Sequence, residues 1–375
     1  MNMRRPLALL LVFAATACAP LGPPSPLAAL PGAPPGQSLA VAALPGWAQD
    51  NTAKALQAFV LGCKTIGQMP PDTSLGGTGL AQSAAGQAGQ WQAVCAAAQA
   101  IAPNDETAAR QFFEADFTAY ALPGQALITG YFEPEYPGAK NQRPGYNVPL
   151  YAKPADAALA ALPRIAIDHG ALTRKTPATA YLTNPVDAFM LQIQGSGRIL
   201  LANGTTLRVG FDGDNGQPYT PIGRLLVQNG DLTPDQVSFQ SIAAWLHANP
   251  AQAQALMEQN ANYVFLRPLG PLPDDEGAPG TLGVPLTAGR SLAVDKSVIP
   301  LGTPVFLTTT DPVTNAPIQR LAIAQDTGGG ITGDAKADLF FGAGPDAETT
   351  AGIMREPGQL YMLLPNPTAG APPAP

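Results

Sequence analysis

The chain has 375 residues, 46% hydrophobic and only 13% charged, with 41 prolines, 39 glycines and a formal net charge of -7. The acidic balance excludes the basic footprint that nucleic-acid binding requires, and no such partner is expected. Abundant turn formers and few long periodic apolar runs exclude a helical bundle in favour of short strands with long connections, in a length that fits two ordinary domains.

The first residues, "MNMRRPLALLLVFAATAC", carry a basic start at Arg4 and Arg5, an apolar run and small residues before a cysteine. This is an export signal, too short to span a bilayer, for which about 20 apolar residues are needed. Ala15-Thr16-Ala17-Cys18 resembles a bacterial lipobox, except that leucine is commoner where Ala15 stands. Cleavage before Cys18 would leave a lipid anchor on that thiol, and the lack of an acid directly after it suits the outer membrane. An ordinary signal peptide cut near Ala17 is the alternative. The stretch "APLGPPSPLAALPGAPPGQ" that follows is too rich in proline to pack and reads as an extended tether.

Three helical patterns come next, "TAKALQAFVLGCKTI", "QWQAVCAAAQAI" and "DETAARQFFEADF", the last capped by Asp105. They hold Cys63 and Cys95, which an oxidising compartment would join in a disulfide; two buried free thiols are the other reading. No histidine lies near either, so neither is expected to be catalytic. "ALITGYFEPEYPG" alternates as a strand that delivers Glu133 to a loop. "FMLQIQGSGRILL" and "TTLRVGFDG" read as further strand-like pieces. Thr233-Pro234-Asp235-Gln236 forms a capping box at the head of a helix, and Asn249-Pro250 begins the next one. A second all-β region contains "SLAVD", "TPVFLTTT", "IQRLAIAQD" and "ADLFF", and the tail from Asn366 is expected to be disordered.

Several chemistries are missing from the sequence. The two histidines, His169 and His247, show no metal-binding spacing, and there is no phosphate loop of the GxxxxGK type. Asp212-Gly213-Asp214-Asn215-Gly216 begins like a calcium loop, but Gly223 stands where the bidentate glutamate belongs. No metal and no cofactor are expected. Asp326-Thr327-Gly328 begins like an aspartic peptidase loop; such an enzyme needs two of these loops, and the chain has one. In isolation Asp326 could equally cap a glycine turn.

Three motifs in order, "SLAVDKSVIPLGTPVFL", "AIAQDTGGGITG" and "ADLFFGAG", resemble the three-aspartate domain of the lytic murein transglycosylase A family. The resemblance extends upstream through "TGYFEPEYPG", "LQIQGSGRILLANG", "GDNGQPYTPIGRLL" and "VPLTAGRSLAVD", spanning about residues 126–365. It implies a mainly β fold with N-terminal helices, in which a double-psi β-barrel carries an inserted second β-barrel-like domain. The implied organisation is a signal peptide over 1–17, a lipid-anchored tether over 18–45, the catalytic barrel over 46–132 and 273–365, a glycan-binding insert over 133–272, and a disordered tail over 366–375.

The resemblance further implies a periplasmic exotransglycosylase at the outer membrane of a Gram-negative bacterium. Such an enzyme cuts the β-1,4 bond between N-acetylmuramic acid and N-acetylglucosamine in peptidoglycan and leaves a 1,6-anhydro end. Its partners would be glycan strands and other cell-wall enzymes. Because the attacking hydroxyl belongs to the substrate, a single acid/base suffices, unlike the acid pair of ordinary hydrolases. Motif match places that acid on Asp338, and the flanking Leu339, Phe340 and Phe341 would desolvate it toward its protonated form.

Asp326 would assist by charge or hydrogen bond, and Asp295 would support the barrel. Thr129, Tyr131, Gln192, Gln194 and Ser196 have the neutral polar or aromatic character that a sugar calls for, with Tyr131 equally able to be core. A hydrolase using Glu133 and Asp338, an aspartic peptidase, and a glycan-binding lipoprotein without chemistry are the competing readings.

Overall fold

In a computed structural model the chain is described over residues 36–367. The signal segment and Cys18 lie outside the described residues, as does the tail beyond 367. Its strands in chain order are β1 (Ser38–Ala40), β2 (Phe117–Ala121), β3 (Ala126–Glu133), β4 (Glu135–Ala139), β5 (Val148–Tyr151), β6 (Ala178–Leu182), β7 (Gly197–Leu201), β8 (Thr206–Asp214) and β9 (Val264–Pro268). They continue with β10 (Glu276–Pro279), β11 (Pro285–Thr287), β12 (Ser291–Ala293), β13 (Pro304–Thr310), β14 (Pro317–Asp326), β15 (Lys336–Ala343) and β16 (Arg355–Pro365).

The larger sheet runs β1-β2-β16-β13-β14-β12-β15-β3, and β16 also pairs with β3. The long β16 reaches both partners because 361–365 ladder with β2 while 355–358 ladder with β3, which closes the ring β16-β13-β14-β12-β15-β3 and leaves β2 and β1 outside it. Two parallel pairings, β12 with β14 and β15 with β3, interrupt an otherwise antiparallel sheet. The smaller sheet, β5-β6-β4-β7-β8-β9, belongs to the segment inserted after β3. It curls until Thr179 Oγ1 of β6 donates to Leu266 O of β9 at 2.6 Å, so it is nearly closed. The fold is thus mixed α/β, with N-terminal helices and two β domains.

The barrel's apolar core is continuous with the face of the N-terminal helices, where Phe59, Phe112, Phe113 and Phe117 pack ring against ring. Helix Thr52–Ile66 begins because Asn51 accepts from Lys54 N, and helix Glu106–Asp116 because Asp105 accepts from Ala108 N. Cys63 and Cys95 are joined as a disulfide with Cα atoms 5.3 Å apart. The insert meets the barrel where Phe239 N donates to Gly352 O at 2.8 Å and the Phe132 and Phe239 rings cross with centroids 5.0 Å apart.

Four local expectations are corrected. The tether expected through residue 45 ends sooner, since Ser38–Ala40 pair with β2 and Val41 and Leu44 are buried. Pro185–Gln194 is a helix, not a strand: Asn184 caps Val186 N, Pro185 sits at the first turn and Gly195 closes it at φ 78°. Alternation in "FMLQIQ" was outweighed by those terminal signals. Thr233 and Gln236 do bond each other, but as a turn; the helix starts at Phe239, capped by Ser238. Asn366 is not loose, because its side chain bonds Thr118 Oγ1 and Ala115 O.

Candidate active site

The period-2 geometry of β15 decides which side chains leave the core. Ala337 and Leu339 are fully buried inside the barrel, so Asp338 points to the opposite face. On β3 the same rule buries Ile128 and turns out Thr129 and Tyr131. Register sets Asp338 beside Thr129 and Phe340 beside Tyr131, whose rings lie 5.2 Å apart. On the other flank, Ala293 of β12 is in register with both Asp338 and Asp326. The two acids therefore sit on strands separated by one neighbour, with backbones about 10 Å apart.

Their surroundings differ. Asp326 accepts four hydrogen bonds: Oδ1 from Thr281 N and Oγ1, both at 3.0 Å, and from Thr327 N at 2.9 Å, and Oδ2 from the Tyr131 hydroxyl at 3.2 Å. Burial raises its carboxyl above the usual range, and the donors oppose that rise. Asp338 is half-buried, and its Oδ1 has no hydrogen-bond partner among the described residues. Desolvation pushes it up to about 6, with Lys336 opposing and the charge of Asp326 adding. Burial first, then the charge of Asp326, keeps the Tyr131 hydroxyl a neutral donor.

The loop between the two acids is pinned at both ends. Asp295 Oδ2 accepts from Gly333 N at 2.7 Å while its Oδ1 accepts from Ser297 N and Oγ; these bonds, Ser297 first, hold its carboxyl below the usual range. Lys336 Nζ donates to Gly330 O at 2.7 Å. From the insert, Tyr219 lays its ring beside the same loop, where a Cβ at Gly330 would lie 3.4 Å from it. Its phenol is raised by burial and then by the charge of Asp338, so the insert reaches across to the acid face.

Of the residues expected to bind sugar, Thr129 and Tyr131 come together with Asp338. Gln194 does not point to open space: its Oε1 accepts from Phe132 N at 3.1 Å and ties the insert to β3. Gln192 is buried within the insert, beside a cavity of about 340 Å³ that Arg164 and Tyr263 also line. Ser196 is buried at the turn into β7. Glu133 is fully buried and ion-paired with Arg198 and Arg208. It stands four residues along β3 from Thr129, about 13 Å of strand. Its carboxylate is already engaged by two arginines, whereas a hydrolase pair needs both carboxyls facing the scissile bond.

Thr281 and Tyr219 were not read as site residues. Thr281 lies in a proline- and glycine-rich connection with no periodic pattern. Tyr219 had a signal, as a lone aromatic in the turn-rich "GDNGQPYTP".

Residues 127–267 match the model of the MltA specific insert domain and residues 290–364 that of the 3D domain. Membrane-bound lytic murein transglycosylase A of Escherichia coli K12 is 32% identical over 255 residues, 66% of this chain and 68% of that protein. The chain belongs to the MltA family. The protein of the same name from Vibrio cholerae is also 32% identical, over 64% of this chain and 66% of its own length, so the chain aligns with about two thirds of these relatives. Among solved structures, a membrane-bound lytic murein transglycosylase from Agrobacterium tumefaciens superposes with a TM-score of 0.78 at 28% identity, covering 88% of this chain and 98% of the other. Escherichia coli MltA with bound chitohexaose shares the fold at 24% identity and a TM-score of 0.70, over 90% and 97%. Among the described residues no helix is long and apolar enough to cross a membrane.

Proposed function

We propose that the chain is a peptidoglycan lytic transglycosylase, with Asp338 as its single general acid and base. The observation that carries this reading is the contrast between the motif acids: Asp338 is desolvated and its Oδ1 has no hydrogen-bond partner among the described residues, whereas Asp326 and Asp295 are held by donors. The similarity to membrane-bound lytic murein transglycosylases supports peptidoglycan as the substrate class. Protonated Asp338 gives its proton to the bridging oxygen of the muramyl bond, and the N-acetylglucosamine departs with a hydroxyl. Positive charge develops at C1 of the muramyl ring. The C6 hydroxyl of the same ring closes on C1, and the carboxylate of Asp338 takes up its proton, so the acid is restored and no water is consumed. Asp326, fixed by four donors, contributes negative charge that favours the protonated form of Asp338. The aromatic faces of Tyr131 and Tyr219 line the glycan's path, and the buried hydroxyl of Thr129 stands beside Asp338.

Digestion of purified sacculi with the mature protein tests this through the chemistry of the product ends. Anhydro-muropeptides are the expected products, and their steady release without mid-chain cuts would support an exo mode. Reducing ends that incorporate labelled water, or no release at all, would overturn the reading. We further infer that Cys18 carries the lipid that holds the protein to the periplasmic face of the outer membrane. Growth with a labelled fatty acid should mark the native protein but not a Cys18→Ser variant; an unlabelled native protein would refute the anchor.

A further inference from the structure

We propose that Glu133 is a positioning residue, which seats the donors of Asp326 by clamping both chain crossings between the barrel and the insert; for its kinetic consequence this rests on the function proposed above. The chain passes from barrel to insert just after Glu133 and returns through residues 269–276. Both crossings meet at this one carboxylate. Glu133 is fully buried, and its Oε1 accepts from Ala278 N at 2.6 Å on the returning strand. Its Oε2 accepts from Arg198 Nε at 3.1 Å on β7 and from Arg208 Nη2 at 3.2 Å on β8. The same arginines grip the returning backbone: Arg208 donates to Pro273 O at 3.0 Å and to Glu276 O at 2.6 Å, and Arg198 donates to Asp274 O at 2.8 Å. One buried anion thus joins three strands from two domains, and the two cations that neutralise it hold a segment lacking regular structure of its own until β10.

That segment leads straight to the acid face. Gly277 passes so close to Phe340 that a Cβ there would meet the ring at 2.6 Å, and Phe340 in turn packs on Tyr131, a donor to Asp326. Three residues beyond Ala278, Thr281 supplies two of the four hydrogen bonds on Asp326, and Gly280 lies against Gln325 O and the Asp326 side chain. The Glu133 carboxylate therefore acts at a distance. It fixes residues 276–281, these fix Asp326, and the charge on Asp326 bears on Asp338. Loosening the clamp withdraws the Thr281 donors and lets burial push Asp326 further up.

The test compares Glu133→Gln, which keeps the shape and removes the charge, with Arg208→Met, which keeps the volume and releases Glu276 and Pro273. Two readouts are taken on folded protein: kcat and KM on glycan strands, and the titration of Asp326 followed by carboxyl 13C resonances, assigned by their loss in Asp326→Asn. In both variants kcat is expected to fall on the order of 10-fold to 100-fold, as small misplacements at a reacting centre do. KM should stay within about twofold, and the Asp326 carboxyl should titrate at higher pH than in the native protein. If one variant fails to fold, the other decides. An unmoved Asp326 titration, or a loss of activity that only follows the folded fraction, would overturn the proposal. Were the native protein to release no anhydro-muropeptides, the function would fall, while the 13C titration would still decide the clamp.

Discussion

The acid face around Asp338 and the crossover around Glu133 lie at the two ends of the same strand pair, β3 and β15, yet they treat a carboxylate in opposite ways. Glu133 is fully buried between two arginines and a backbone N–H, so its charge is satisfied and its contribution is to geometry. Asp338 has lost water without gaining a partner, and its proton is held up to about 6. The difference shows how one sheet separates structure from chemistry. Where the chain must be held, cations are brought to the acid; where a proton must move, no cation pairs with it among the described residues, and the nearby Lys336 ammonium is tied to Gly330 O.

The sharpest way to break this contrast is to exchange the charge at Asp338. Asp338→Asn should lower kcat on sacculi by about 10²- to 10⁴-fold, the usual contribution of a positioned acid and base; anhydro-product release measured at near-native rates would reverse the assignment. Stability should respond with opposite sign at the two acids. Glu133→Ala leaves two buried guanidinium groups without their anion and should cost about 3–5 kcal/mol in denaturant unfolding. For Asp338 the folded pKa lies above the unfolded value, so stability is greatest at low pH and is lost as pH rises through about 6. Asp338→Asn should therefore raise the melting temperature at pH 7.5 and leave it unchanged near pH 3.5; equal shifts at both values would mean that the carboxyl is not desolvated.

Smaller effects sharpen the same picture. Since the acid must be protonated to start, kcat/KM should fall toward tenfold per pH unit above about 6, and a flat profile from pH 5 to 8 would count against Asp338 as the donor. Asp326→Asn should cost on the order of tenfold and move that limb to lower pH, because the neighbouring negative charge is gone. A limb that stayed in place would mean that Asp326 serves the loop alone. Tyr219→Ala should weaken chitohexaose binding by a few-fold, in keeping with the roughly 0.5–1.5 kcal/mol of a ring contact; calorimetry showing native affinity would remove Tyr219 from the glycan's path.

How far the sequence carries can be judged residue by residue. Helices Thr52–Ile66 and Glu106–Asp116 announce themselves by caps and apolar spacing, β3 and β8 by alternation, and β13 and β14 by short continuous runs, because these signals lie within a few residues of what they specify. The three acids of the barrel motifs were legible for the same reason: each follows or sits within its own apolar strand. The helix Pro185–Gln194 is not apparent from the sequence because a strand-like run overlaps its last six residues, and the terminal signals prevailed.

What only the tertiary structure decided is which acid is left alone. Glu133 and Asp338 look alike in sequence, an acid beside hydrophobic strand residues. Glu133 is separated from Arg198 by 65 positions, from Arg208 by 75 and from Ala278 by 145, while the Thr281 that orients Asp326 lies 45 positions before it. Local pattern fixes which residues form a strand and which way they face. Charge state depends on the dielectric and the partners within a few ångströms, and those are delivered by other strands, through barrel closure and the return of the chain from the insert.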